Sequence, residues 1–159
     1  MRIAAIVLGL LLLAAPDLAS SQGAEQPIPN AGGWRLSRVP QSGCFARLQG
    51  DQVDSLLAVN REGKMVIGAG RPEWKLPGGE EPVTLRIDGA APVQLKGSPV
   101  GNIIIVLITD DGMTRALQTA QHLSWTLSTG PAVANVTGLG VAFDAIRACA
   151  RTLAPPAAP

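Results

Sequence analysis

The stretch Val100-Gly101-Asn102-Ile103-Ile104-Ile105-Val106-Leu107-Ile108-Thr109 decides the fold. From Ile103 to Ile108 every residue is Ile, Val or Leu. The run is too short to cross a membrane as a helix and too rich in β-branched side chains to favour one. It reads as a strand covered on both faces, at the centre of a core. Its neighbours follow the same logic. Before it, Val83, Leu85 and Ile87 alternate with Thr84, Arg86 and Asp88, and a turn at Asp88-Gly89-Ala90-Ala91 leads into Pro92-Val93-Gln94-Leu95-Lys96. This is a hairpin with one apolar and one polar face. After it, the period changes at Thr109-Asp110-Asp111-Gly112: Met113, Leu117 and Ala120 recur at helical spacing, with Asp110 or Asp111 placed to cap the first turn.

Farther out the alternation continues. Leu123, Trp125 and Leu127 alternate with Ser124, Thr126 and Ser128 as a strand, and Gly130-Pro131 turns into another at Val133 to Thr137. Leu56 to Asn60 and Lys64 to Gly68 flank Arg61-Glu62-Gly63, a three-residue hairpin connection with glycine last. Arg71 to Pro82 carries Pro72, Pro77, Pro82 and Gly78-Gly79, and reads as a long connection with one short extended piece at Trp74-Lys75-Leu76. Trp34 to Val39 alternates up to Pro40. In the next strand Cys44, Ala46 and Leu48 share one face while Phe45 and Arg47 share the other. From Gly138-Leu139 onward, Leu139, Phe143, Ile146, Ala150 and Leu153 form the stripe of an amphipathic helix, with Cys149 beside it. About eight strands and two helices give a mainly β (β-rich α+β) fold. The expected architecture is a curled antiparallel sheet, sandwich or barrel-like, with a short internal helix and a C-terminal helix packed on it.

The ends set the compartment. Arg2 precedes an apolar run from Ile3 to Ala15, then Pro16 and the small residues Ala19-Ser20-Ser21, the three-part layout of a secretory signal over 1–21. The run is shorter than the roughly 20 residues of a membrane anchor, the competing reading. No cysteine follows it for a lipid anchor and no twin arginine precedes it. Residues 22–32, with Pro27 and Pro29 and no apolar period, read as a flexible leader. A single β-rich domain then runs over 33–153, and the proline-rich tail 154–159 is expected to be disordered. Removing the signal takes away Arg2 and Asp17 together, so the net charge stays at the +1 of the whole chain. That balance gives no electrostatic case for nucleic acid or an acidic membrane surface. Cys44 and Cys149 are the only cysteines. In an oxidising compartment they read as a disulfide, against the competing reading of two free thiols, which no neighbouring Lys or His would obviously acidify.

Reactive side chains are few. His122 is the only histidine, so a hydrolytic site would have to combine it with Ser124 and with Asp110 or Asp111, without a Gly-x-Ser-x-Gly elbow. One histidine and two paired cysteines cannot supply a zinc site, and no cofactor is expected. Glu80-Glu81 and Asp110-Asp111 are adjacent in sequence, which argues against a shared-proton dyad and for solvated loop and cap roles. Gly68-Ala69-Gly70-Arg71 lacks a phosphate-binding spacing. Asn135-Val136-Thr137 fits a glycan acceptor but falls in an expected strand, and is expected to be unmodified. Phe45 and Arg47, opposite Cys44 on their strand, together with Arg35 from the preceding strand, form a candidate binding patch. The competing reading has Phe45 covered by a loop or by the Trp74 segment.

The order of these features is Trp34; Cys44-Phe45-Ala46; Trp74-Lys75-Leu76; Leu85-Arg86-Ile87-Asp88-Gly89; an Ile-rich strand; a short helix ending at Ala120; and Gly138-Leu139 before a helix with Cys149. In layout it resembles the invasion-associated locus B type of small exported bacterial β-domain, across Gly33 to Cys149. That type usually carries additional cysteines, which this chain lacks. The resemblance implies a periplasmic or surface-associated protein linked to the envelope or to host interaction, with no established catalysis and no functional residues to carry over. The expectation is an exported, non-enzymatic protein, periplasmic or secreted, that binds an envelope or extracellular protein. A small periplasmic hydrolase using His122 and Ser124, or a β-barrel holding a small apolar ligand, are the alternatives.

Overall fold

The computed structural model describes residues 24–153; the expected signal over 1–21 and tail over 154–159 lie outside them. Its elements are, in chain order, β1 (Gln26–Ala31), β2 (Trp34–Val39), β3 (Gly43–Leu48), β4 (Asp54–Asn60), β5 (Met65–Gly70), β6 (Glu81–Ile87), β7 (Val93–Val100), β8 (Ile103–Ile108), α1 (Asp111–Thr119), β9 (His122–Leu127), β10 (Gly130–Asn135) and α2 (Leu139–Arg151). The strands form one sheet in the order β1-β2-β3-β4-β5-β8-β7-β6-β9-β10, antiparallel at every pairing. The sheet is not closed into a barrel. Both helices pack on it, so the expected mainly β class with an antiparallel sheet and two helices is what forms.

Period-2 alternation sends one set of side chains to a single core. The row Leu36, Ala46, Leu57, Ile67 and Val106 crosses five neighbouring strands in register, and all five residues are buried. Trp34 and Trp125 join it from the two ends of the sheet. Helix α2 lays Leu139, Ala142, Phe143 and Ile146 against this face and touches β1 to β4 and α1. Each large apolar side chain so buried contributes about 1.5–3 kcal/mol. Cys149, on the flank of that stripe, reaches Cys44 on β3 in a disulfide with Cα atoms 6.2 Å apart. Helix α1 starts where expected: Asp110 caps it, its carboxylate accepting the Met113 N–H at 2.7 Å. In the hairpin between β4 and β5, Gly63 takes φ 79°, and the Asn60 side chain accepts the Glu62 and Lys64 N–H groups.

Three expectations need correction. Residues 22–32 are not a flexible leader throughout, because Gln26–Ala31 pairs with β2 as an edge strand. Pro27 and Pro29, two residues apart, remove N–H groups from one side only, and an edge strand has one unpaired side; Ile28 and Ala31 pack against the core. With it the sheet has ten strands rather than about eight. The Trp74 piece forms no strand; Trp74 is buried in the core beneath the Arg71 guanidinium, which lies 5.6 Å from its ring centre. Most consequential, β8 is central but covered on one face. Ile104 and Val106 are buried and Ile108 packs against the core, whereas on the other face Ile103 and Ile105 are partly exposed and Leu107 is 44% exposed. The helices lie on one side of the sheet, and among the described residues no second layer meets the other.

The two ends of the sheet meet through backbone. Gly32, after β1, and Gly138, before α2, both have positive φ, and their main chains are so close that a Cβ on Gly138 would overlap the Gly32 carbonyl oxygen. Beside them the Trp34 indole N–H donates to the Thr137 carbonyl at 3.2 Å.

Candidate functional site

The register of β2, β3 and β4 puts the expected patch together. Arg35 faces Arg47 directly across the β2–β3 ladder, Ser37 faces Phe45, and on the next ladder Arg47 faces Leu56 and Phe45 faces Ala58. All point away from the helices, because each is the sequence neighbour of an inward residue. Phe45 is half-buried and both arginines are exposed. The Trp74 segment does not cover Phe45, since Trp74 belongs to the core cluster and Phe45 does not.

The structure enlarges this patch well beyond the three residues legible in the sequence. From Phe45 the outer row continues through Ala58 and Val66 to Leu107. The next row runs Arg35, Arg47, Leu56, Gly68, Ile105, and a third runs Asp54, Gly70, Ile103, Val100. None of Phe45, Leu56, Val66, Ile103, Ile105, Leu107 and Val100 belongs to the core cluster or packs against it. Val100 is 58% exposed. Two glycines shape this surface. A Cβ on Gly70 would lie 2.8 Å from Ile103 Cγ1, and one on Gly68 would lie 3.0 Å from Ile105 Cγ2 and 2.7 Å from the Ile104 carbonyl oxygen. The isoleucine side chains therefore lie across β5 where side chains would otherwise stand. A groove of about 740 Å³ runs here, lined among others by Glu25, Arg35, Arg47, Leu56, Gly70 and Ile103.

Its polar groups are loosely engaged. The Arg35 guanidinium donates to Gln49 Oε1 at 3.0 Å, and Arg47 lies 4.0 Å from the Glu25 carboxylate, with both of those side chains largely in solvent. Asp54, at the start of β4, accepts the Gly50 N–H at 3.2 Å. The sequence signal that points to this face is the Gly-x-Gly at 68 and 70. It becomes informative only once the register sets it opposite Ile105 and Ile103.

The remaining candidates are scattered. His122 sits exposed at the start of β9, and the acid near it is Asp88 rather than Asp110 or Asp111, with Nδ1 to Oδ1 at 3.9 Å. Asp88, at φ 45°, accepts the backbone N–H groups of Gln121 and His122, which fixes the turn after β6 to the start of β9. Ser124 shares the outer face of β9 with His122, and neither residue lines the groove beside Arg35 and Arg47. Asp110 is taken up by the α1 cap. Of the pair expected to be solvated, Glu80 reaches Lys96 at 3.3 Å in solvent, but Glu81 is buried, one oxygen accepting the Ser128 N–H at 2.6 Å. The cause is that β6 begins at Glu81, and its odd-numbered positions face inward. Asn135 ends β10, where its side chain accepts the Thr137 N–H and hydroxyl. Among the described residues no group of three or more His, Cys, Asp and Glu is placed to hold a metal, and no helix is long and apolar enough to cross a membrane. Nor does the sheet enclose a ligand as a barrel would, because α2 and the core side chains fill its inner side.

No family model matches the chain, and no curated protein matches it. Among solved structures, the crystal structure of invasion associated protein B from Bartonella henselae matches at 21% identity, covering 76% of this chain and 93% of that one, with a TM-score of 0.49.

Proposed function

We propose that this protein is an exported, non-enzymatic binding protein, acting in the periplasm or outside the cell through contact with an envelope or extracellular protein. The outer face of β3, β4, β5 and β8 is the contact surface. One observation carries the reading: this face bears Phe45, Leu56, Val66, Ile103, Ile105 and Leu107 with no element of the described chain packed on it. Contiguous exposed apolar surface rimmed by charge is a mark of interaction sites. Export is supported by the signal-like N-terminus and by the Cys44–Cys149 disulfide, which persists in an oxidising compartment.

The test is site-specific photo-crosslinking in the native host, with the reactive group placed at Leu107 or, as a control, at the exposed Ala148 on α2. A discrete adduct from position 107 and none from 148 is expected. Equal labelling from both positions, or none from 107, would refute the surface assignment. The non-enzymatic part has its own check. An esterase or peptidase activity of the purified protein that disappears in His122→Ala would overturn it.

A further inference from the structure

The outer face is not uniformly apolar, and its gradient names the chemistry of what binds there. Directly opposed residues on neighbouring strands have Cβ atoms about 4.5–5.5 Å apart, and like charges in that position destabilise a sheet. Arg35 and Arg47 occupy such a pair. Neither is neutralised at close range: Arg35 donates to a neutral amide, and Arg47 has only Glu25 at 4.0 Å in solvent. Two guanidinium forks side by side are suited to a carboxylate, which accepts paired N–H bonds. One strand spacing from Arg47 the same surface turns aliphatic at Leu56, and three spacings from Arg47, about 14 Å, come Ile105 and Ile103, whose side chains lie over Gly68 and Gly70. Asp54, on β4 opposite Gly70 and two residues from Leu56, also lines the groove and repels an anion placed there. The groove therefore has a direction, with its cationic end at β2–β3 and its aliphatic end at β5–β8.

We infer that this groove docks an extended segment of a partner protein that carries an acidic side chain and a branched aliphatic side chain about four residues apart. The acid sits between Arg35 and Arg47 and the aliphatic group rests on Ile103. The spacing follows from the roughly 14 Å between β3 and β8 and the roughly 3.3 Å rise per extended residue. The volume of about 740 Å³ is that of a site for a short segment rather than for an ion. This assignment rests on the contact surface proposed above and sharpens it to a partner chemistry.

A library of random heptapeptides displayed on phage, panned against the oxidised full-length protein, tests it. The best binders are then synthesised with a fluorescent label and measured by anisotropy. Peptides with Asp or Glu and with Leu, Ile or Val about four positions away are expected to enrich. Their affinity should fall about tenfold or more for Arg35→Glu/Arg47→Glu, and a Lys-for-acid version of the peptide should regain binding to that variant. An unchanged urea midpoint confirms that the variant is folded. Enriched peptides without an acid, no enrichment at all, or binding indifferent to the double reversal would each overturn the inference. So would occupancy by octanoate alone, or a dimer in sedimentation that the reversal dissociates. Crosslinking from Leu107 that survives the reversal would refute the acidic segment while leaving the surface standing; its absence even in the unmodified chain would remove both.

Discussion

Two rows of the same sheet lie one residue apart and differ little in chemistry. Ala46, Leu57, Ile67 and Val106 cross β3, β4, β5 and β8 on one side, and Phe45, Ala58, Val66 and Leu107 cross the same strands on the other. The first row is buried, at most 1% exposed, while the second reaches 44% at Leu107. Composition does not separate them. What separates them is that α2 and its disulfide stand on one side only. A run such as Ile103 to Ile108 fixes that a strand forms there, but the number of layers around it is decided by elements far away in sequence.

The contrast can be broken or sharpened by substitution. The largest effect is expected where α2 is held to the inner row: Cys44→Ser/Cys149→Ser opens a loop of 105 residues and should lower stability by about 4–5 kcal/mol on the chain-entropy model. Urea denaturation of the oxidised wild type beside the variant measures it. Next comes Ile67→Ala in the inner row, which leaves a cavity and should cost about 2–5 kcal/mol by the same assay. Gly70→Ala tests the outer surface and falls between the rows. The added methyl meets Ile103, so a loss of about 1–3 kcal/mol is expected, and a double-mutant cycle with Ile103→Ala should recover much of it. The smallest effect belongs to Leu107→Ser, within about 0.5 kcal/mol of wild type in urea. A loss at Leu107 comparable to that at Ile67 would mean that the two rows are equally buried in solution.

Much of this was legible in the sequence for simple reasons. Alternation placed Cys44 inward and Phe45 outward, the Leu139, Phe143, Ile146 stripe gave the helix that covers the core, and Asp110 sat where a cap belongs. These are local signals. The first strand was missed because Pro27 and Pro29 mask a strand unless its place at the sheet edge is known. Glu81 was misplaced because nothing nearby reveals that β6 starts there and turns the residue inward. Arg35, Phe45 and Arg47 could be grouped from their own hairpin. Leu56, Ile103 and Gly70 join them only through the β4–β5–β8 register, and β8 reaches β5 past a connection and two further strands.

The meeting of Gly32 with Gly138 bears on how the polypeptide is made. Its first ordered strand pair rests on main chain that is synthesised more than 100 residues later, and the Trp34 indole waits for the carbonyl of Thr137. Contacts of such separation are costly to close early and favour slow folding. The N-terminal half should therefore stay open to proteases during synthesis until the closing helix emerges.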